Sequence, residues 1–381
     1  MQDGIHAMLP RDLMSPSVRK YWDFVNLKPD APVYQTEFGY YSIEKWMREE
    51  GLKDEKELHD LCSFDAPGAC TLGGLGSCEA EFFPRFEEKV LKDMGDYELV
   101  QDHAGRHVKF FKGRRNGFMP EYVDHPVKDW KTWEEHCKWR MDPTSPDRLS
   151  TLNHYLPGHV ACARQGMVMQ QYTVGGYMYL RSLMGPEGLL YMFYDDPDLI
   201  HDCMQSWFRL ADSVLAFHQQ HVSLDFLLID EDICYKGGSL ISPDMIREFL
   251  MPYYQQLIHN CRRRQLDQSR RVSFYVGSDG FFDPIIPLYR EMGMDMLGPF
   301  EVAAGSDVVR TGKEYPDLLI TGGLDKREMA KGKDAIDRMV DAILPVMKKR
   351  GGYMPTCDHG VPEEVKLSDY LYLRKRLHEF G

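Results

Sequence analysis

The sequence predicts an α/β protein, a (β/α)8 TIM barrel with an elaborated N-terminal region. Three observations carry that expectation. Beyond a turn-rich segment at Asp142–Asp147, short apolar runs alternate with amphipathic stretches, the pattern of strand–helix units on a parallel sheet. Nearly every apolar run stops at a glycine or a polar residue, as barrel strands do when they deliver side chains to one mouth. The chain has 381 residues, enough for a barrel built as one unit. A doubly wound sheet would satisfy the alternation too, but it gathers its chemistry at one switch point and not at most strand ends.

The first 150 residues are irregular. Ala31-Pro32-Val33-Tyr34 leads into Glu37-Phe38-Gly39-Tyr40-Tyr41 and an amphipathic piece around Trp46-Met47. Val100 to Lys109 mixes charged and apolar residues and suits small hairpins. Trp130 to Glu135 reads as a short surface helix capped by Asp129 or Thr132. Asp142-Pro143-Thr144-Ser145-Pro146-Asp147 is the best boundary in the chain. Residues 1–150 are therefore expected to be an extension and the first barrel elements with hairpin insertions. Residues 151–381 are expected to be the remainder of the barrel, within one structural domain.

Past the boundary, Val160 to Gln170 reads as a buried strand before the turn Val174-Gly175-Gly176. Asp196-Pro197 opens a helix, because Asp caps free amides and Pro fits the first turn. Leu224 to Ile229 is a strand ending in Asp230-Glu231-Asp232. Ser242-Pro243 opens a helix with a kink expected at Pro252. Val272 to Val276 ends at Gly277-Ser278-Asp279-Gly280, and Asp283-Pro284 starts the next helix. Met294 to Phe300 ends in Glu301, and Leu318 to Thr321 ends in Gly322-Gly323, with Asp325 and Glu328 as a capping box. Tyr353 to Thr356 precedes Cys357-Asp358-His359, and a final helix begins at Ser368.

A formal charge of −13, from 46 basic and 59 acidic residues, argues against nucleic acid as a partner. No run of about 18 apolar residues offers a membrane span, and the N-terminus lacks the pattern of a secretory signal. Nine scattered cysteines, an odd number, read as reduced thiols of a cytoplasmic enzyme. No CxxC, HExxH, GxGxxG or Walker loop occurs, so any metal must be held by ligands gathered from distant strands.

If the barrel forms, Asp230, Glu231, Asp232, Asp279, Glu301, Cys357, Asp358 and His359 converge on one mouth. Asp279, Glu301, Cys357 and His359 supply donors of the kinds zinc accepts. Asp230, Glu231 and Asp232 are the catalytic candidates, since crowded carboxylates raise one another's pKa and leave one as a general acid. Alternation places 230 and 232 on one face without saying which of the three acts. Blander roles compete throughout: carboxylates after strands also cap helices and stabilise turns, and a buried cysteine is often only a small hydrophobe. Arg181 either clamps a substrate carboxylate or pairs with Glu187. An aromatic set of Phe38, Tyr40, Tyr41, Tyr172, Tyr177, Phe274, Phe281 and Phe300 is available to line an apolar pocket. Phe38, Tyr40, Tyr177 and Phe281 join Arg181 as expected substrate contacts.

These residues carry a resemblance. Asp230-Glu231-Asp232, Lys236-Gly237-Gly238-Ser239-Leu240-Ile241-Ser242-Pro243 and Phe249-Leu250-Met251-Pro252-Tyr253 form long ordered matches. So do Gly293-Met294-Asp295, Phe300-Glu301, Gly322-Gly323-Leu324-Asp325-Lys326 and Gly351-Gly352-Tyr353. Over roughly residues 158–380, and more loosely over 31–150, the chain resembles the uroporphyrinogen decarboxylase superfamily. That resemblance implies a (β/α)8 barrel with its site in the mouth, and one of two activities: porphyrinogen decarboxylation or methyl transfer involving a corrinoid protein. The decarboxylases grip substrate with an arginine-rich N-terminal segment, whereas the matching Tyr34–Tyr40 contains no arginine. The thiol methyltransferases bind zinc through a His-x-Cys pair and a later Cys. Here those positions fall on Gly277-Ser278-Asp279-Gly280 and near Cys357, an oxygen-richer set.

The resemblance thus implies the O-demethylase-like branch. It would pass a methyl group from a small methoxylated or methylated compound to the cobalt of a separate corrinoid protein. Zinc would polarise the donor, Glu231 or Asp232 would act on the leaving group, and the chain would form a homodimer. Two other readings are a decarboxylase or lyase of a non-porphyrin carboxylate, with Arg181 as clamp, and a metal-free small-molecule-binding barrel.

Overall fold

The computed structural model describes residues 4–65, 68–113 and 120–381. In chain order the strands are β1 (Ala69–Leu72), β2 (Lys89–Met94), β3 (Tyr97–Gln101), β4 (His107–Phe111), β5 (Glu121–Asp124), β6 (Val168–Val174) and β7 (Phe226–Asp230). They continue with β8 (Cys234–Tyr235), β9 (Gly238–Ser239), β10 (Ser273–Gly277), β11 (Met296–Phe300), β12 (Leu319–Gly322) and β13 (Tyr353–Met354). Seven of them pair in the order β1-β6-β7-β10-β11-β12-β13, and every ladder is parallel. Their near-continuous apolar runs follow from that arrangement, because both faces of a parallel sheet are covered.

The expected closed eight-stranded barrel is met in part. Among the described residues no ladder joins β13 back to β1. The chain at residues 33–37 lies between those two edges. Gln35 N donates to Asp65 Oδ2 at 2.7 Å and Gln35 O accepts from Asp65 N at 3.0 Å, just before β1. On the other side Glu37 Oε1 accepts from Cys357 N at 2.7 Å, just after β13. These bonds use side chains and single amides, so the segment bridges the edges without forming a strand.

The N-terminal region builds part of the parallel sheet and a second, antiparallel one. β1 comes from it, and β2-β3-β4-β5 form a four-stranded sheet that includes the expected hairpin near 100–109. Asp129 caps the short helix Trp130–Thr132 in a capping box with Thr132. Helix Pro16–Val25 packs Val18, Trp22 and Phe24 against Val168, Phe226, Met296 and Leu319, residues at or next to the strand starts. It covers the end of the sheet opposite the expected site.

Three sequence expectations are corrected. Val160 is not in a strand: helix Pro146–Arg164 runs through it, and β6 begins only at Val168. The buried positions Arg148, Leu152, His159 and Ala163 show the helical spacing that the apolar composition of Val160–Ala163 obscured. Pro252 does not kink a helix but starts one. The chain breaks at Leu250, and Pro252 sits in the first turn of Met251–Arg264, where its missing N–H costs nothing. Asp325 caps a helix of only four residues by accepting from Arg327 N at 2.8 Å, while Glu328 pairs with Lys331. No helix among the described residues is long and apolar enough to cross a membrane.

The strand starts are fastened by one buried ion pair. Asp225 is 1% exposed and accepts from Met169 N at 2.8 Å and from Arg270 Nη2 at 2.7 Å. Burial pushes its carboxyl pKa up while Arg270 pulls it down. Asp225→Ala would leave the guanidinium buried and unpaired, which costs about 3–5 kcal/mol. The expected result is a lower urea midpoint with an unchanged m-value. A midpoint equal to that of the wild type would show that the pair contributes nothing net.

Candidate active site at the C-terminal strand ends

Inward-facing residues of the parallel strands line a cavity of about 700 Å³. Gln170 and Tyr172 come from β6, Leu228 and Asp230 from β7, and Tyr275, Met296 and Thr321 from β10, β11 and β12. Phe38 and Tyr40 reach it from the N-terminal segment. Such a volume is typical of a small-molecule site.

The three acidic residues after β7 have three different fates. Asp230 lines the cavity, and its carboxyl has no hydrogen bond or ion pair with any described residue. Burial, then the negative charges of Asp232 and Asp279, raise its pKa to about 7. Glu231 turns away from the cavity and is fully buried. Its Oε1 accepts from Tyr177 N at 3.0 Å and its Oε2 from the Tyr254 hydroxyl. Burial lifts its pKa to about 7 against those bonds. Asp232 has a left-handed backbone (φ 40°) and accepts from Arg181 Nη2 at 2.7 Å. Arg181 therefore pairs with neither a substrate clamp position nor Glu187, and it does not line the cavity.

Around the mouth, Asp279 Oδ2 and His359 Nε2 lie 3.0 Å apart, and this contact raises the His359 pKa. The Tyr41 ring stacks on His359 with its hydroxyl 3.1 Å from Nδ1, and Phe38 lies against the same imidazole. Glu301 accepts from Gly280 N and from Lys326 Nζ, both at 3.1 Å. Asp358 ties two loops together, accepting from Lys326 N at 3.1 Å and Val302 N at 3.0 Å.

The expected zinc set of Asp279, Glu301, Cys357 and His359 is not assembled. Among the described residues no three His, Cys, Asp or Glu side chains come together to hold a metal ion. Only Asp279 and His359 meet. Glu301 is neutralised by Lys326, and an ammonium there opposes a second cation. Cys357 is fully buried, with its thiol pKa pushed far up by burial and then by Glu37, whereas zinc takes the thiolate. These residues do not fit zinc.

The expected pocket aromatics divide between cavity and core. Phe38, Tyr40 and Tyr172 line the cavity. Tyr177, Phe274 and Phe300 point the other way into the main hydrophobic core, and Phe281 is half-buried beside Tyr235, whose carbonyl accepts its amide at 3.0 Å. Sequence reasoning missed Tyr34, Phe226 and Tyr275, which do line the cavity. For Phe226 the signal is parity with Asp230, since residues 226, 228 and 230 share one face of β7, and Tyr275 lies in register with Leu228 on the next strand.

A parallel sheet with a hollow interior and ionisable groups at its C-terminal ends defines the barrel-type class of α/β fold, whose sites sit at that face. Residues 154–380, more than half of the chain, match the uroporphyrinogen decarboxylase (URO-D) family, and the protein belongs to that family. Comparison with curated protein sequences gives no significant match. Among solved structures the chain is similar to a methyltransferase from Methanosarcina mazei, at 16% identity and a TM-score of 0.57 over 96% of this chain and 98% of that one. It also matches a putative vitamin-B12 independent methionine synthase from Listeria monocytogenes, at 12% identity and a TM-score of 0.39, covering 92% and 98%. A xylanase B from Clostridium stercorarium F9 matches at 12% identity and a TM-score of 0.32, covering 58% and 75%. At 16% identity the first likeness is one of fold.

Proposed function

We propose that the protein is a methyltransferase that takes a methyl group from a small methylated compound in the cavity and passes it to the cobalt of a corrinoid on a separate protein. The observation that carries this reading is Asp230, the one cavity carboxyl inside the exposed rim without a cationic partner among the described residues, standing at the end of β7 where this fold does its chemistry. Family membership and the shared fold are consistent with it. The aromatic and methionine walls would hold the donor's apolar body and exclude water, leaving Asp230 beside the heteroatom that loses its methyl group. With a neutral ether as donor, a protonated Asp230 would donate to the departing oxygen.

A corrinoid supplies a strongly nucleophilic metal centre as methyl acceptor. Phe38, Tyr41 and Tyr235 are 48%, 60% and 54% exposed at or near the mouth, rings on which a partner-borne macrocycle would rest. A decarboxylase reading loses its support with Arg181, because no Lys or Arg among the described residues lines the cavity to grip a substrate carboxylate.

The test is anaerobic incubation with cob(I)alamin and a panel of methylated donors, following methylcobalamin formation by absorbance. At least one donor is expected to react. No methylcobalamin from any donor, together with carbon dioxide release from a carboxylate panel, would overturn the reading in favour of a lyase.

A further inference from the structure

We infer that the methyl donor of this cavity is a methylated onium cation, a quaternary ammonium compound whose charge faces Asp230 and the aromatic walls. This rests on the methyl-transfer reading and narrows it to one substrate class. The cavity's charge is one-sided. Glu37, Glu55, Asp65 and Asp230 line it, and among the described residues no Lys or Arg does. Two of the four carboxylates have cationic partners behind them, and a third, Glu55, is exposed at the rim. Asp65 lies 3.1 Å from Lys20 Nζ, and Glu55 is at the rim beside His59 at 3.8 Å. Glu37 accepts from the Tyr370 hydroxyl at 2.9 Å with Arg374 3.7 Å away. Asp230 alone is left to be matched by something entering the cavity.

The strands on either side of β7 bring the Tyr172 and Tyr275 rings toward Asp230, and such rings suit a diffuse cation. Tyr34, Tyr172, Phe226 and Tyr275 contribute rings to the lining, and Phe226 and Tyr275 stack with centroids 5.9 Å apart. Two of the hydroxyls have partners within the wall: Tyr275 OH lies 3.1 Å from Thr321 Oγ1, and Tyr172 OH accepts from Gln170 Nε2 at 3.1 Å. Aromatic rings and a carboxylate together form the recognition chemistry of a quaternary ammonium group, which has no N–H to satisfy. An anionic carboxylate would instead meet Asp230 and the other lining carboxylates as like charges.

The chemistry balances without a proton donor. The C–N bond breaks with both electrons left on nitrogen, so a neutral tertiary amine departs. The methyl carbon forms its new bond with an electron pair of the partner-borne acceptor. Asp230 then faces a charge that vanishes as the methyl leaves, which lets the amine go.

The experiment is calorimetric binding of choline, of its neutral carbon isostere 3,3-dimethylbutan-1-ol, and of 4-methoxybenzyl alcohol, to the full chain and to Asp230→Asn. Choline is expected to bind at least about tenfold more tightly than its isostere, and Asp230→Asn is expected to abolish most of that preference. Thermal melts establish that the variant is folded. Equal or tighter binding of the isostere, binding of the methoxy compound without choline, or no binding of any of the three would overturn the cation assignment. Methylcobalamin formation from a neutral ether would then leave the methyl-transfer reading standing. Selective choline binding with no methyl transfer would keep the cation assignment and remove the methyl-transfer reading instead.

Discussion

Asp230→Asn is expected to lose methyl transfer by about 10²–10⁴-fold while melting at a higher temperature than the wild type above pH 7. The activity loss follows from removing the one unmatched carboxyl in the cavity. The gain in stability follows from the same fact. Burial, Asp232 and Asp279 hold the folded-state pKa near 7, whereas an unfolded Asp titrates near ~4. Between those values the folded chain keeps a proton that the unfolded chain has released. With the folded pKa raised, stability is fully present below about pH 4 and declines as pH rises through about 7, by an amount on the order of 2–4 kcal/mol. Asn carries no charge at any pH and escapes the decline. The melting difference between variant and wild type should therefore widen from pH 5 to pH 8. A constant difference would mean that Asp230 ionises freely, and the case for an unmatched charge held by the fold would go with it.

A destabilised group kept at the mouth of a cavity is the expected signature of a functional position, since folding alone would favour its replacement. The neighbouring carboxylates illustrate the contrast. Asp232 is matched by Arg181, and Asp225 at the opposite end of β7 by Arg270. Both pairs hold the fold, and neither has charge left over for a ligand.

Much of the architecture was legible because it depends on local patterns. Asp196, Ser242 and Asp129 each cap a helix as their side chains suggest, and the strands after Leu224, Val272, Met294 and Leu318 fall where the apolar runs place them. The faces of those strands were not legible. In a parallel sheet both faces are apolar, so Phe274 and Tyr275 offer no polarity difference to separate core from cavity. The expected zinc set failed for a similar reason. Convergence on one mouth is set by topology, but whether a carboxylate is free there depends on partners distant in sequence, and Lys326 takes Glu301. The choice among Asp230, Glu231 and Asp232 likewise needed the positions of Tyr254, Tyr177 and Arg181.

Glu231→Ala is expected to destabilise the protein by about 3–5 kcal/mol, the cost of breaking a buried charged hydrogen-bond network from one side. Truncation would strand the Tyr254 hydroxyl and Tyr177 N–H in a dry interior, each without its acceptor. The site admits no repair by relaxation of the adjoining turn, because that turn is built around the carboxylate. A Cβ at Gly175 would lie 2.0 Å from Glu231 Oε2 and 2.6 Å from the Asp230 carbonyl oxygen. Gly175 N also donates to that carbonyl at 2.6 Å, so the glycine turn and Glu231 together fix the backbone that carries Asp230. Glu231 is on this argument a positioning residue. Glu231→Gln, which keeps an acceptor for Tyr177 N and resembles the protonated acid, should recover much of the stability and a corresponding part of the activity. The urea midpoints and methyl-transfer rates of the two variants should therefore move together. A Glu231→Ala protein as stable as the wild type but inactive would place Glu231 in the chemistry itself and break the division of labour between the two carboxylates.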